Sequence, residues 1–79
     1  MIGMILRNVR KIRGLTQRNV GNELKLADNT ISNYEIEYSN PTFDTVYKFM
    51  DICNFDIQFI DRGTNKIYMV EELSKEMDF

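Results

Sequence analysis

The spacing of apolar residues switches from helical to alternating partway along this chain, and that switch constrains the fold more than any other feature. Up to about residue 54 the spacing is helical, and from Phe55 onward it alternates. Ile5, Val9 and Ile12 recur at i, i+4 and i+7, with Leu6 alongside, and predict a helix over about residues 3–13. Gly14 ends it. Thr16 is a good N-cap for a second helix carrying Val20 and Leu24, although Asn19 sits where a Glu or Gln would complete a capping box. A third short helix starts near Ala27 or Asp28 and reaches about Tyr34, with Ile31 and Tyr34 turned inward. The polar loop from Glu35 to Asn40 is closed by Pro41. Thr42 then caps a fourth helix on which Phe43, Val46, Met50 and Cys53 follow helical spacing, and Asn54 suits a left-handed stop. Beyond it Phe55, Ile57 and Phe59 alternate with Asp56 and Gln58, which is strand spacing. Asp61 to Asn65 is turn chemistry, Ile67 to Val70 reads as the returning strand, and Glu71 to Met77 as a final helical turn or two.

A chain of 79 residues has room for one small core. The reading is therefore a mainly α fold, with a four-helix domain over residues 1–54 and a β-hairpin plus short helix over 55–79. A lone hairpin is marginal in water, so this extension must pack on the helices or pair with another chain.

Several function classes are excluded by what is missing. The sequence has no His, and Cys53 is its single cysteine. An internal disulfide, a zinc cluster and a His-based catalytic site are therefore not available. No Gly-rich phosphate loop and no recognisable paired carboxylate site is present, so the chain is read as a non-enzyme without cofactor or metal. No apolar run is long enough for a membrane span, and the opening Met1–Leu6 is too short for a secretory core, which places the chain in the cytoplasm.

Charge is divided sharply between the two ends. Residues 1–25 hold Arg7, Arg10, Lys11, Arg13, Arg18 and Lys25 against Glu23 alone, a net +5, whereas the remainder carries four bases against eleven acids, a net −7. The overall −2 thus conceals a basic end able to meet a polyanion.

The segment Thr16 to Tyr34 carries the functional signal. Two helices crossing steeply through a short turn need a small residue where they approach, an apolar residue in the turn and apolar anchors in the second helix. Gly21, Leu26, and Ile31 with Tyr34 supply these in order. The second helix then leaves Asp28, Asn29, Thr30, Ser32 and Asn33 outward, which is the helix-turn-helix pattern. Arg18, beside Gln17, is a candidate phosphate contact.

Together with Gly14-Leu15-Thr16-Gln17, Thr30-Ile31-Ser32-Asn33-Tyr34-Glu35 and Asn40-Pro41-Thr42, this pattern resembles the Cro and lambda-repressor-like helix-turn-helix regulators, the XRE family, from about Ile5 to Phe55. The resemblance implies a transcriptional regulator, here read as a repressor, that sets a recognition helix over residues 27–34 in the major groove of double-stranded DNA. It implies base contacts from Asn29 and Asn33, phosphate contacts from Gln17, Ser32 and the backbone around Ser39 and Asn40, and a phosphate or thymine-methyl contact from Thr30. In similar proteins the positions of Arg10 and Glu35 form a partly buried ion pair, which is favoured here over a DNA contact for Arg10.

Departures from the family pattern are specific. Lys25 stands where the left-handed turn usually has Gly, Ala27 cannot cap the recognition helix, and Ile36-Glu37-Tyr38 is not basic. Asp28 has two readings, a helix-start carboxylate facing the dipole or an acceptor for cytosine N4. Two subunits would cover half-sites about 34 Å apart, and Phe55, Ile57, Phe59, Ile67 and Met69 of the hairpin are the expected homodimer contacts. The other reading of the hairpin is that it folds back over its own fourth helix. An alternative function is an antitoxin-type module whose acidic C-terminal part holds a basic toxin.

Overall fold

The computed structural model describes residues 1–78. Residue 79, the last of the expected extension, lies outside them. The elements are α1 (Ile2–Ile12), α2 (Gln17–Leu24), α3 (Asp28–Glu35), α4 (Phe43–Ile52), β1 (Gln58–Ile60), β2 (Ile67–Met69) and α5 (Val70–Leu73). The fold is mainly helical, with a two-stranded antiparallel hairpin and a short terminal helix, as the change of period predicts.

The core is built by α1 to α4 around Leu6, Val20, Ile31, Phe49 and Cys53, all fully buried. Each large apolar side chain among them contributes about 1.5–3 kcal/mol on burial. The inward face of α1 differs from the expected one. Ile5 and Ile12 are 42% and 69% exposed, whereas Gly3, Leu6, Val9 and Arg10 are buried. The cause is Arg10: its bond to Glu35 requires it to face inward, and this fixes the rotation of the whole helix. On α4 the buried set is Val46, Phe49, Met50 and Cys53, while Phe43 is half exposed. Phe49 lies three residues after Val46 and four before Cys53, a spacing that marks it as core.

Helix ends follow local chemistry. The Thr16 hydroxyl accepts the Asn19 backbone N–H at 3.0 Å, and Asn19 Oδ1 accepts the Thr16 N–H at 2.9 Å. The capping box is therefore complete, because the shorter Asn side chain still reaches back. Thr42 accepts from the Thr45 N–H, and Ala27 makes no side-chain cap. Gly14 and Asn54 take the left-handed conformation expected of them.

The strands are shorter than their alternation predicts. β1 begins only at Gln58, because Phe55 and Ile57 pack against the helical core. The Phe55 N–H donates to the Met50 carbonyl at 2.8 Å, and its ring lies 5.4 Å from the Arg13 guanidinium. Val70 opens α5 instead of ending β2. Register pairs Gln58 with Met69, Phe59 with Tyr68 and Ile60 with Ile67. Phe59 lines a shallow apolar cleft with Phe43, Val70 and Leu73. Pleating sends Ile60 and Ile67 to the other face, where they are 61% and 49% exposed. The molecule measures 43 × 22 × 22 Å, with a radius of gyration of 14.2 Å. A compact chain of this length would have about 12 Å, and the difference reflects a hairpin that projects from the bundle. No helix among the described residues is long and apolar enough to cross a membrane.

Candidate nucleic-acid interface

The α2–turn–α3 unit is shaped by two unusual backbone positions. A Cβ at Gly21 would sit 2.6 Å from the Leu26 carbonyl oxygen, so only glycine lets the turn pass this closely. Lys25 stands at φ 57°, ψ 40°, the left-handed conformation, which for a residue with a side chain costs about 1–2 kcal/mol. The Leu26 N–H closes the turn on the Gly21 carbonyl at 2.8 Å. Ile31 is buried beneath α3, so the opposite side of that helix is turned out. Asp28 and Asn29 are exposed there, and Thr30, Ser32 and Asn33 are half-buried. A small polar cleft lies between α2 and α3, lined by Gln17, Asp28, Asn29 and Ser32.

Beneath this surface α1, α2 and α3 meet in one buried polar network. Arg10 Nε and Nη2 donate to the two Glu35 oxygens at 2.6 and 2.8 Å, and Nη1 donates to the Leu15 carbonyl at 2.9 Å. The bond to Glu35 raises the Arg10 pKa against the effect of burial. Burial pushes the Glu35 carboxyl up, but the bonds from Arg10 and Gln17 outweigh it and hold the pKa below its ordinary value. Gln17 Nε2 donates to Glu35 at 3.2 Å. The Gln17 side chain, expected at a phosphate, is thus turned to this network. Every buried side-chain N or O among the described residues has a partner.

The loop after α3 is braced by a residue that sequence reasoning passed over. Glu37, at φ 62°, accepts the Gly3 backbone N–H at 3.0 Å and also bonds the Met1 amino group. Its carboxylate pKa is lowered by those bonds. α1 also runs so close to the end of α3 that a Cβ at Gly3 would lie 2.6 Å from the Tyr34 and Glu35 carbonyl oxygens. The Ser39 N–H, part of the expected phosphate clamp, donates to the Asn33 carbonyl at 3.3 Å, while Asn40 is exposed.

The basic end is smaller than its charge count implies. Arg10 is buried, and Arg13 Nε donates to the Cys53 carbonyl at 2.7 Å, a cation at the C-terminus of α4. Arg7, Lys11, Arg18 and Lys25 are exposed. Arg18 lies 4.0 Å from Asp28 Oδ2, so the structure brings a candidate phosphate contact and a candidate base contact together. Of the expected dimer contacts, Phe55 and Ile57 pack on the core of their own chain, Met69 is half-buried, and Phe59 and Ile67 are exposed.

Two helices locked at a close crossing, the second with a polar face outward, define a helix-turn-helix domain. The family model of that description, Helix-turn-helix domain, matches residues 3–66, and the chain belongs to this family. It is similar to the HTH-type transcriptional regulator ImmR of Bacillus subtilis (strain 168), with 30% identity over 59 residues. That alignment covers 75% of this chain and 46% of the relative, so the chain spans about half the length of the curated relative it matches. No solved structure matches the chain.

Proposed function

We propose that this chain is a sequence-specific double-stranded DNA-binding transcriptional regulator, acting as a repressor and as a homodimer, with α3 set in the major groove. The reading is supported above all by the outward face of α3, which offers short polar side chains over a rigid buried network. The similarity to a protein named as an HTH-type transcriptional regulator is in keeping with it. Asn29 and Asn33 contact base edges, each able to pair bidentately with adenine N6 and N7. Arg18, Thr30, Ser32 and Asn40 contact phosphates. Gln17 contributes its backbone N–H at the start of α2 and holds its side chain on Glu35. The helical domain over 1–54 binds DNA, and the extension over 55–79 pairs subunits through Ile67 and Met69, with Ile60 beside them on the same strand face. The chain works by binding, not catalysis.

Selection of duplexes from a random pool, followed by alignment of the recovered sequences, tests the reading. The expected product is a motif with two-fold symmetry. Asn33→Ala relaxes the preference at one position in each half-site, whereas Arg18→Ala weakens binding of the selected duplex and flattens its dependence on salt. A motif unchanged by Asn33→Ala would show that α3 is not the reading element.

The second reading, an antitoxin-type module, draws on the acids Glu71, Asp51 and Asp56 around Tyr47, whose pKa is raised first by the hydrogen bond to Glu71, then by burial and by these nearby charges. Co-purification of a small basic protein that protects this acidic face from chemical modification distinguishes it.

A further inference from the structure

The exposed face of α3 contains a carboxylate and no cation. Its sequence is Asp-Asn-Thr-Ile-Ser-Asn-Tyr-Glu, and the Glu is matched internally by Arg10. Asp28 is thus the charge that this helix presents outward. Its two oxygens have different partners. Oδ1 accepts the Asn29 backbone N–H at 3.0 Å, taking up a helix-start donor that Ala27 cannot. Oδ2 faces Arg18 Nε at 4.0 Å. The side chains remain 78% and 54% exposed for Arg18 and Asp28, and an ion pair so open to water is weak and readily exchanged.

We propose that Arg18 and Asp28 form a specificity latch, in which Asp28 restrains Arg18 until a matching base takes the carboxylate. The proposal rests on the DNA-binding reading above and names the base chemistry that the site accepts. Beside an arbitrary duplex, phosphate and Asp28 compete for one guanidinium, and a carboxylate left alone is repelled by the backbone. Beside a base pair that offers an amino group in the major groove, cytosine N4 or adenine N6, Oδ2 accepts from that amino group. Arg18 then turns to the phosphate, and both contacts form together. Discrimination arises both from the penalty on mismatched sequences and from the amino-group contact made on the matched one.

The test uses the full chain with Asp28→Asn, Arg18→Ala and the double variant. Asp28→Asn keeps an oxygen acceptor for the Asn29 N–H and removes the charge; Asp28→Ser does the same with a shorter side chain. The probes are a random-sequence duplex pool and a duplex selected from that pool by the unaltered protein, titrated by fluorescence anisotropy across a salt series. Asp28→Asn is expected to bind the random pool about threefold more tightly or better, and to steepen the salt slope by about 0.9, one additional phosphate contact. It is expected to lose about tenfold or more in preference for the selected duplex. In the Arg18→Ala background the steepening disappears. Random-pool binding that does not tighten in either Asp28 variant, or a slope change equal with and without Arg18, overturns the latch while the DNA-binding reading stands. An unaltered protein that selects no duplex overturns both.

Discussion

Lys25 keeps a left-handed backbone that glycine adopts without strain. Lys25→Gly is therefore expected to stabilise the chain by about 1 kcal/mol, read as a higher urea midpoint with unchanged slope. Glu35 gives a prediction in pH. Its carboxyl is held below the ordinary value near 4.5, so its contribution is complete above that pH and is lost as pH falls through the lower folded value. Thermal melts should thus drop below about pH 4.5 in the parent, and Glu35→Gln should remove that component while lowering stability at neutral pH. Both Lys25 and Gly21 were legible in the sequence, because turn chemistry acts between near neighbours. Gly3 and Glu37 were not. Their constraint comes from the end of α3 and the start of α1, more than thirty residues apart, and no local spacing encodes that approach.

Element boundaries followed local signals where these acted alone. The four helices lie within a residue or two of their predicted spans, since Thr16, Thr42, Gly14 and Asn54 stop or start them by backbone chemistry. Thr16→Ala removes one half of a complete capping box and is expected to cost about 1 kcal/mol, measured as a fall in melting temperature. Rotation was less legible than extent. Apolar spacing admits Ile5–Val9–Ile12 or Ile2–Leu6–Val9 as the inward stripe of α1, and the choice is made by a charged residue, Arg10, reaching a partner on α3. The strand forecast was too long for a related reason: alternation describes Phe55 and Ile57 correctly as half-buried, but their cover is the bundle and not a second strand. In the site, Asn19 and Gln17 show how side-chain partners escape a sequence reading. Asn19 accepts the Thr16 N–H and Gln17 donates to the Glu35 carboxylate, partners within the protein that composition cannot specify.

At the scale of the whole molecule, shape and charge separate the two ends. The bundle holds the exposed cations Arg7, Lys11, Arg18 and Lys25, and the projecting hairpin turns Ile60 and Ile67 to water. If the proposed homodimer forms through this face, replacing both isoleucines by Ser is expected to weaken it at least tenfold by sedimentation while leaving the helical circular dichroism intact, since neither belongs to the core. A tenfold loss corresponds to about 1.4 kcal/mol, well within the apolar area these side chains could bury. A dimer that survives this change would move the subunit contact off the strand face. The narrow attachment of the hairpin has a thermodynamic corollary. Tyr47, whose hydroxyl bonds Glu71, and the open apolar cleft that Phe43 and Phe59 line are a slender attachment beside the welded junction of α1 with α3. The strands are therefore expected to open and reclose while the bundle stays folded, so that their amides exchange with solvent deuterium through partial unfolding, sooner than those of Leu6 and Ile31.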